Sequence, residues 1–411
     1  MKHDDEEMLE EALRDPETWA SVDALISRPS RFKEALALKT RIDREDAAAA
    51  RLLSPLLDSP LRFRNAAIAR NPKAQTAGVV RFLCAAAHER HEKRPEFSLE
   101  LTLCAYEIAL TLGRSASASQ HFCMALSLRE RANALRYLGR FTEALEALDS
   151  AETLFDESPA ADPHDLAIVQ YIRATVFVES ERLDEARSAS REAAKVFREY
   201  GDGPRELVAL QVEATALHYG GRNTQAVAAY QHVAAMARAE GDRNLVARAL
   251  NGAGSANLDL GKLDEAEASL LEALVIFDEL DIATERSRVA WSLALIEVRR
   301  GDLGGGAVRL DSARRDLERL GLVNDHALAT LDWAFARLAI GEPSGVAAAC
   351  AEIVVRFDSE GMMKSARIAL AQLHEALAAG SATPALVSEV RTYLELLPSH
   401  PDAQFIFSST S

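Results

Sequence analysis

The chain has 411 residues, 48% of them apolar and 27% charged, which is enough for a large buried core, and no uninterrupted apolar run reaches the roughly 18 residues of a membrane helix. Sixty-three Asp and Glu against 47 Lys and Arg leave a net charge of -16, which excludes a chain whose main business is coating nucleic acid or anionic lipid. The opening MKHDDEE has no basic segment ahead of an apolar run, and Cys84, Cys104, Cys123 and Cys350 form no Cys-x-x-Cys pair. The expectation is a cytoplasmic protein with small, buried, reduced thiols.

In chain order, residues 1–94 read as a helical N-terminal region, broken at Pro16, Pro29, Pro55, Pro60 and Pro72. Residues 31–42 and 45–57 read as short helices between the breaks. Residues 28–94 carry fifteen Lys and Arg against seven Asp and Glu, so this region is locally basic. A repeat array follows over residues 95–362, with one upstream helix at 96–112. Residues 363–397 read as two capping helices, 363–379 and 384–397, and 398–411 as a loosely packed tail. Stacked repeats need such ends, because an uncapped apolar face is sticky.

The array is visible in its turns. The strings GRFTEA at Gly139, ERLDEA at Glu181, GRNTQA at Gly221 and GKLDEA at Gly261 are variants of one motif, and weaker copies start at Gly301 and Gly341. The steps between them are 42, 40, 40, 40 and 40 residues, a period characteristic of a solenoid. A second set of breakers, Gly201, Gly241, Asp281, Gly321 and Gly361, lies midway, so each repeat is two segments of similar length. Apolar residues recur at three-or-four spacing, as at Ala266, Leu270, Ala273, Leu274 and Phe277, which makes both segments helices. The Asp, Thr and Glu after each turn suit a helix N-terminus.

Small residues show how these helices pair. Ala132, Ala174, Ala214, Gly254, Ala294 and Ala334 hold one position in the first helix, and Ala144, Ala186, Ala226, Ala266, Gly306 and Val346 open the second. Small side chains at both places let two helices approach closely, while Phe155, Phe197, Phe277, Leu317 and Phe357 supply bulk towards the next pair.

Motifs that carry chemistry are weak. Cys84, His88 and His91 would share one face of a helix, and with Cys104 or Cys123 they make a metal site conceivable. However, HERH at residues 88–91 is one residue short of the His-Glu-x-x-His spacing. The glycines of residues 301–306 occupy a repeat turn without the strand or Lys of a phosphate loop. No Gly-x-Ser-x-Gly elbow occurs. The expectation is a protein that is not an enzyme, with no cofactor and no bound metal. A metal-dependent protein is the remote alternative.

These small residues, turn glycines and alanines resemble the tetratricopeptide repeat (TPR) superfamily, with Leu148, Tyr230, Leu270 and Leu310 at its large position and Ala151, Ala193, Ala273 and Ala313 beyond. The period is 40 rather than the family's 34, as in long-helix bacterial members that include peptide-pheromone receptors and transcriptional regulators. Over most of its length the chain is also similar to bacterial TPR proteins with no established activity. The resemblance implies an all-α, right-handed superhelical solenoid of antiparallel helix pairs whose first helices line a concave groove. Carried over residue by residue, the groove positions are Arg129, Asn133, Arg136, Tyr171, Thr175, Gln211, Thr215, His218, Asn251, Ser255, Arg288 and Trp291. The function expected is a scaffold or adaptor with a regulatory role that binds a protein or peptide through this groove, with no membrane partner. The alternative is a signalling or transcription-linked regulator whose basic N-terminal region contacts nucleic acid or a second partner. Nucleic acid is not the expected partner of the chain as a whole.

Overall fold

The computed structural model describes residues 29–59, 61–112, 120–158, 161–359, 364–396 and 405. Among them there is no strand, and the fold is all-α. The helices are α1 (Pro29–Leu53), α2 (Leu61–Ala69), α3 (Ala77–His88), α4 (Pro95–Thr111), α5 (Gln120–Tyr137), α6 (Phe141–Asp156), α7 (Pro163–Glu179), α8 (Leu183–Glu199) and α9 (Gly203–Tyr219). They continue with α10 (Asn223–Glu240), α11 (Arg243–Asp259), α12 (Leu263–Glu279), α13 (Ala283–Arg299), α14 (Leu303–Arg319), α15 (Val323–Ala339), α16 (Val346–Ser359), α17 (Lys364–Ala378) and α18 (Pro384–Leu396). Short 3-10 turns stand at Ser54–Leu56 and Pro72–Ala74. The helix-pair repeats read from the turn motif are the ones observed. No described helix is long and apolar enough to cross a membrane.

The helices end where the breakers stand, for a reason visible in the backbone. Gly139, Gly201, Gly221, Gly241, Gly261, Gly301, Gly321 and Gly341 all have positive φ, as do the non-glycine Glu181 (φ 55) and Asp281 (φ 53). At each helix end the residue after the breaker bonds back five residues, as in Asp242 N to Ala237 O at 2.9 Å and Ile282 N to Phe277 O at 3.0 Å. This left-handed cap satisfies carbonyls that the helix leaves free, and glycine adopts it without steric cost.

The chain divides into two compact units, one of Met1–Val178 with Asp184–Ala209 and one of Glu179–Leu183 with Leu210–Ser411. In the first, α3 packs on α1, α4 and α5, and α5 on α6. Leu83, Leu101, Cys104 and Cys123 share its upstream core, and Leu128, Leu135, Leu148 and Phe155 a second one. In the other unit, α10 to α16 pack in sequence and α18 lies against α15. Leu331, Trp333, Ile353, Leu370, Val387 and Tyr393 share one core there, and Ala214, Leu217, Tyr230 and Ala253 another. The small residues sit where the helices touch: Ala132, Ala174, Ala214, Ala294 and Ala334 are fully buried, and a Cβ on Gly254 would stand 2.6 Å from Leu270 Cγ. Phe155, Phe197, Phe277 and Leu317 are buried as well. The side chain of Phe357, the breaker Gly361 and the tail from 398 lie outside the described residues, apart from Phe405, whose ring meets Tyr393 at 5.0 Å.

Three local readings are corrected. The two short helices expected at 31–42 and 45–57 are one 25-residue helix, α1, because neither Gly nor Pro interrupts residues 30–54. His91 is not on the helix of Cys84 and His88, since α3 ends at His88. Of the glycines at 301–306, Gly301 alone makes the turn (φ 91). Gly304 to Gly306 form the first turn of α14, where Asp302 Oδ1 accepts the Gly305 N–H at 2.9 Å.

Candidate functional site: polar rows on the first helices

Each unit carries polar side chains on the first helices of its repeats, and many are tied to the next first helix about one repeat on. In the first unit, His88 Nδ1 and His91 Nε2 each stand 3.1 Å from Glu130 Oε2. Arg129, on α5, bonds Glu130 Oε1 at 3.1 Å and faces Asp165 of α7 at 4.0 Å. His164 Nε2 meets Asp202 Oδ2 at 2.8 Å. In the other unit, His218 Nε2 meets Asp259 Oδ2 at 2.9 Å, Arg288 Nε donates to Asp325 Oδ2 at 2.8 Å, and Trp291 Nε1 donates to Asp332 Oδ2 at 2.9 Å. The partners on neighbouring repeats are 36 to 42 residues apart in sequence, so the ties run at about the period of the fold itself.

These contacts set the charge states. Burial would raise the Glu130 carboxyl, but the Arg129 guanidinium and the two imidazole donors outweigh it and hold it well below the usual carboxylate range. The bond to Glu130 in turn raises the His88 imidazole above its ordinary value, against the effect of burial. At Asp202 burial also acts upward, yet bonds from Arg205 and His164 bring the carboxyl down. The His218 bond lowers Asp259. Asp332 goes the other way: burial raises it, despite Arg391 at 2.5 Å.

The twelve sequence-derived positions are all half-buried. Arg129, Asn133 and Arg136 lie on α5, where Arg136 Nε donates to Asn133 Oδ1 at 3.0 Å and its guanidinium sits 3.9 Å above the Tyr137 ring. Tyr171 and Thr175 are on α7; Tyr171 packs against the core and Thr175 bonds the Ile172 carbonyl at 2.6 Å. Gln211, Thr215 and His218 are on α9. Thr215 Oγ1 donates to the Gln211 carbonyl at 3.0 Å and accepts from Tyr230 at 3.1 Å. Asn251 and Ser255 are on α11, and Arg288 and Trp291 on α13. The side-chain oxygens of Gln211 and Asn251 are buried without a hydrogen-bond partner among the described residues. These two residues stand 40 positions apart, at the same place in their repeats.

Sequence reasoning missed the acids that answer this row: Glu130, Asp165, Asp202, Asp325 and Asp332. Their signal was an acid one repeat downstream of a His, Arg or Trp, which is faint among 63 acids. The cysteines are accounted for more simply. All four are buried and free; Cys84 bonds Ser127 at 3.8 Å, and burial pushes Cys104 and Cys123 up to about 11 and Cys350 to about 12. Part of the basic stretch is ion-paired, with Arg64 on Glu100, Arg81 on Glu45 and Asp46, and Arg94 on Asp58.

The family model of the tetratricopeptide repeat matches residues 247–276. None of the curated proteins matches the chain by sequence. Among solved structures, the chain is similar to a Rap protein complexed with Competence and Sporulation Factor, at 13% identity over 88% of this chain and 99% of that one, with a TM-score of 0.58. It is similar to aspartyl phosphate phosphatase F from Bacillus subtilis, at 12% identity over 91% and 97% of the two chains, with a TM-score of 0.56. A third is the Rap conjugation gene regulator of a plasmid in complex with a peptide, at 12% identity over 80% and 98%, with a TM-score of 0.55. At such identities the likeness is one of fold. The repeat period, the buried small residues and the capped turns make the fold a helical repeat array of the tetratricopeptide type, and the family model matches one segment of it.

Proposed function

We propose that the chain is a non-catalytic scaffold that binds a peptide or an extended protein segment along the first helices of its repeats. The observation that carries this reading is the pair Gln211 and Asn251, two amides at the same repeat position whose oxygens find no partner among the described residues. An unpartnered buried polar atom costs about 1–3 kcal/mol. The terminal torsion of an amide turns easily, so each can present its oxygen or its NH2 group to a ligand. A peptide backbone offers both complements at regular spacing. Thr215, His218, Ser255, Arg288 and Trp291 flank the two amides on the same unit, and an aromatic ring and guanidinium groups are common interface anchors. Two of the similar structures are complexes, one with Competence and Sporulation Factor and one with a peptide, which supports this class of ligand. In the first unit, Arg129, Asn133, Arg136, Tyr171 and Thr175 are the corresponding contacts. The absence of catalysis rests on chemistry: the buried thiols are kept protonated, and the His–Asp pairs serve to tie repeats together.

The test is selection of binders to the full chain from a random-peptide display library. Affinities are then measured for the wild type and for a Gln211→Ala, Asn251→Ala double variant. Two polar contacts at about 1 kcal/mol each predict a loss of about thirtyfold, with a melting temperature that does not fall, since the two unpartnered oxygens are removed. Equal affinity for both proteins would place the ligand elsewhere.

A further inference from the structure

We propose that His88, His91 and Glu130 form a binding site for a divalent first-row transition ion of the zinc class. The three ligand atoms, His88 Nδ1, His91 Nε2 and a Glu130 carboxylate oxygen, all lie within 4.8 Å of one another. They come from three places that the fold holds together: the last residue of α3, the turn after it, and the middle of α5. Two imidazoles converge on a single oxygen, each at 3.1 Å. In a tetrahedral site with bonds of about 2.0–2.1 Å, neighbouring ligand atoms stand about 3.3 Å apart, so two of the three edges are already close to the length an ion needs. The third edge closes by a swing of His88, whose side chain is 69% exposed, whereas His91 and Glu130 are held at 3% and 5%.

The surroundings fit the same purpose. Arg129 takes the other carboxylate oxygen at 3.1 Å, which fixes the Glu130 plane and leaves one oxygen free to ligate, as an outer-shell partner does. The His91 ring stacks on Tyr137 at 6.3 Å, which holds its orientation. Two nitrogens and one carboxylate oxygen suit Zn2+ or Fe2+ and not Ca2+ or Mg2+, which take oxygen ligands. On binding, each ligating nitrogen presents its lone pair while the other ring nitrogen keeps its hydrogen, and a proton that His88 carries in its bond to Glu130 is released to solvent. The fourth position opens on the solvent side of His88, for water or a donor group of a ligand. Cys84 is not part of the set: its thiol is buried against Ser127.

The experiment uses the full chain, stripped with a chelator and titrated with Co2+ and then Zn2+, read by calorimetry and visible absorption. The expected result is one ion per chain, intense visible bands of four- or five-coordinate Co2+, and their displacement by Zn2+. His88→Ala changes an exposed side chain and should fold normally, which circular dichroism verifies; it should abolish the bands, and so should Glu130→Gln. Failure to bind Co2+ and Zn2+, or binding equally strong in His88→Ala and Glu130→Gln, overturns the proposal and leaves the triad as a hydrogen-bonded cluster.

Discussion

Asp202 shows how much a single side chain does in this array. Its Oδ1 accepts the Arg205 N–H at 3.1 Å and so caps α9, while Oδ2 faces His164 at 2.8 Å and Arg205 at 2.7 Å. Asparagine is itself a good N-cap, so Asp202→Asn keeps the cap and removes only the charge. The variant should lose about 1–2 kcal/mol at neutral pH, read as a fall in the urea midpoint. The carboxyl is held below its ordinary value of 3.8 in the folded chain, so its contribution is fully present above that value and fades as pH falls through the lower, folded one. The gap between wild type and variant should therefore narrow in acid. A gap that is the same at pH 7 and pH 3 would show that the charge plays no part.

Within single helices, the same substitution should have opposite signs at two glycines. A Cβ on Gly252 in α11 would stand 2.5 Å from the Tyr230 ring, which is 3% exposed and held by its bond to Thr215. Gly304 in α14 has open space around it. Gly304→Ala should stabilise the chain by about 0.5 kcal/mol, through the lower backbone entropy of alanine. Gly252→Ala should destabilise it by about 1–3 kcal/mol, because the ring has nowhere to go. Thermal or urea unfolding of the two variants decides it, and a stabilised Gly252→Ala would mean that Tyr230 is free to move. The contrast also marks what the sequence could tell. Glycines at a fixed period announced the turns, and small residues at a fixed register announced the close helix contacts, because both repeat and backbone geometry alone demands them. The partner of Gly252 was not legible, since Tyr230 lies on the preceding helix and its ring direction depends on packing. Glu130 was hidden for a related reason. A lone acid in mid-helix reads as solvated charge until the fold brings His88 and His91 onto it.

For the array as a whole, the question is what ends it. In a repeat protein each pair leans on its neighbours, so the last pair keeps an apolar face that something must cover. The structure assigns much of that work to α18: Leu386, Val387, Val390, Tyr393 and Leu394 are buried in the same core as Ala327, Leu331 and Trp333. Phe335 and Leu338, which stand 120 residues after Thr215 and His218 and so at the same places in their repeat, also pack against this core, so the last repeat meets the chain's own C-terminal helices where an earlier repeat shows polar side chains. One contact there is ionic. Arg391 pairs with Asp332 at 2.5 Å, and Asp332 also accepts from Trp291. Removing one partner of a buried pair leaves the other charge stranded, at about 3–5 kcal/mol. Arg391→Met keeps most of the apolar stem, so its effect should report the lost charge, which also pairs with Glu395 of the same helix at 2.9 Å. Asp332 can escape the penalty by taking up a proton, and burial already raises its carboxyl. The deficit should therefore be small in mild acid and grow as pH rises and Asp332 is forced to ionise. Because coupling in such an array passes between neighbours, hydrogen exchange should show lost protection in α15 and α13 and little change in α10 and α11. Uniform loss across all four helices would instead show that α18 holds the unit together as one cooperative block.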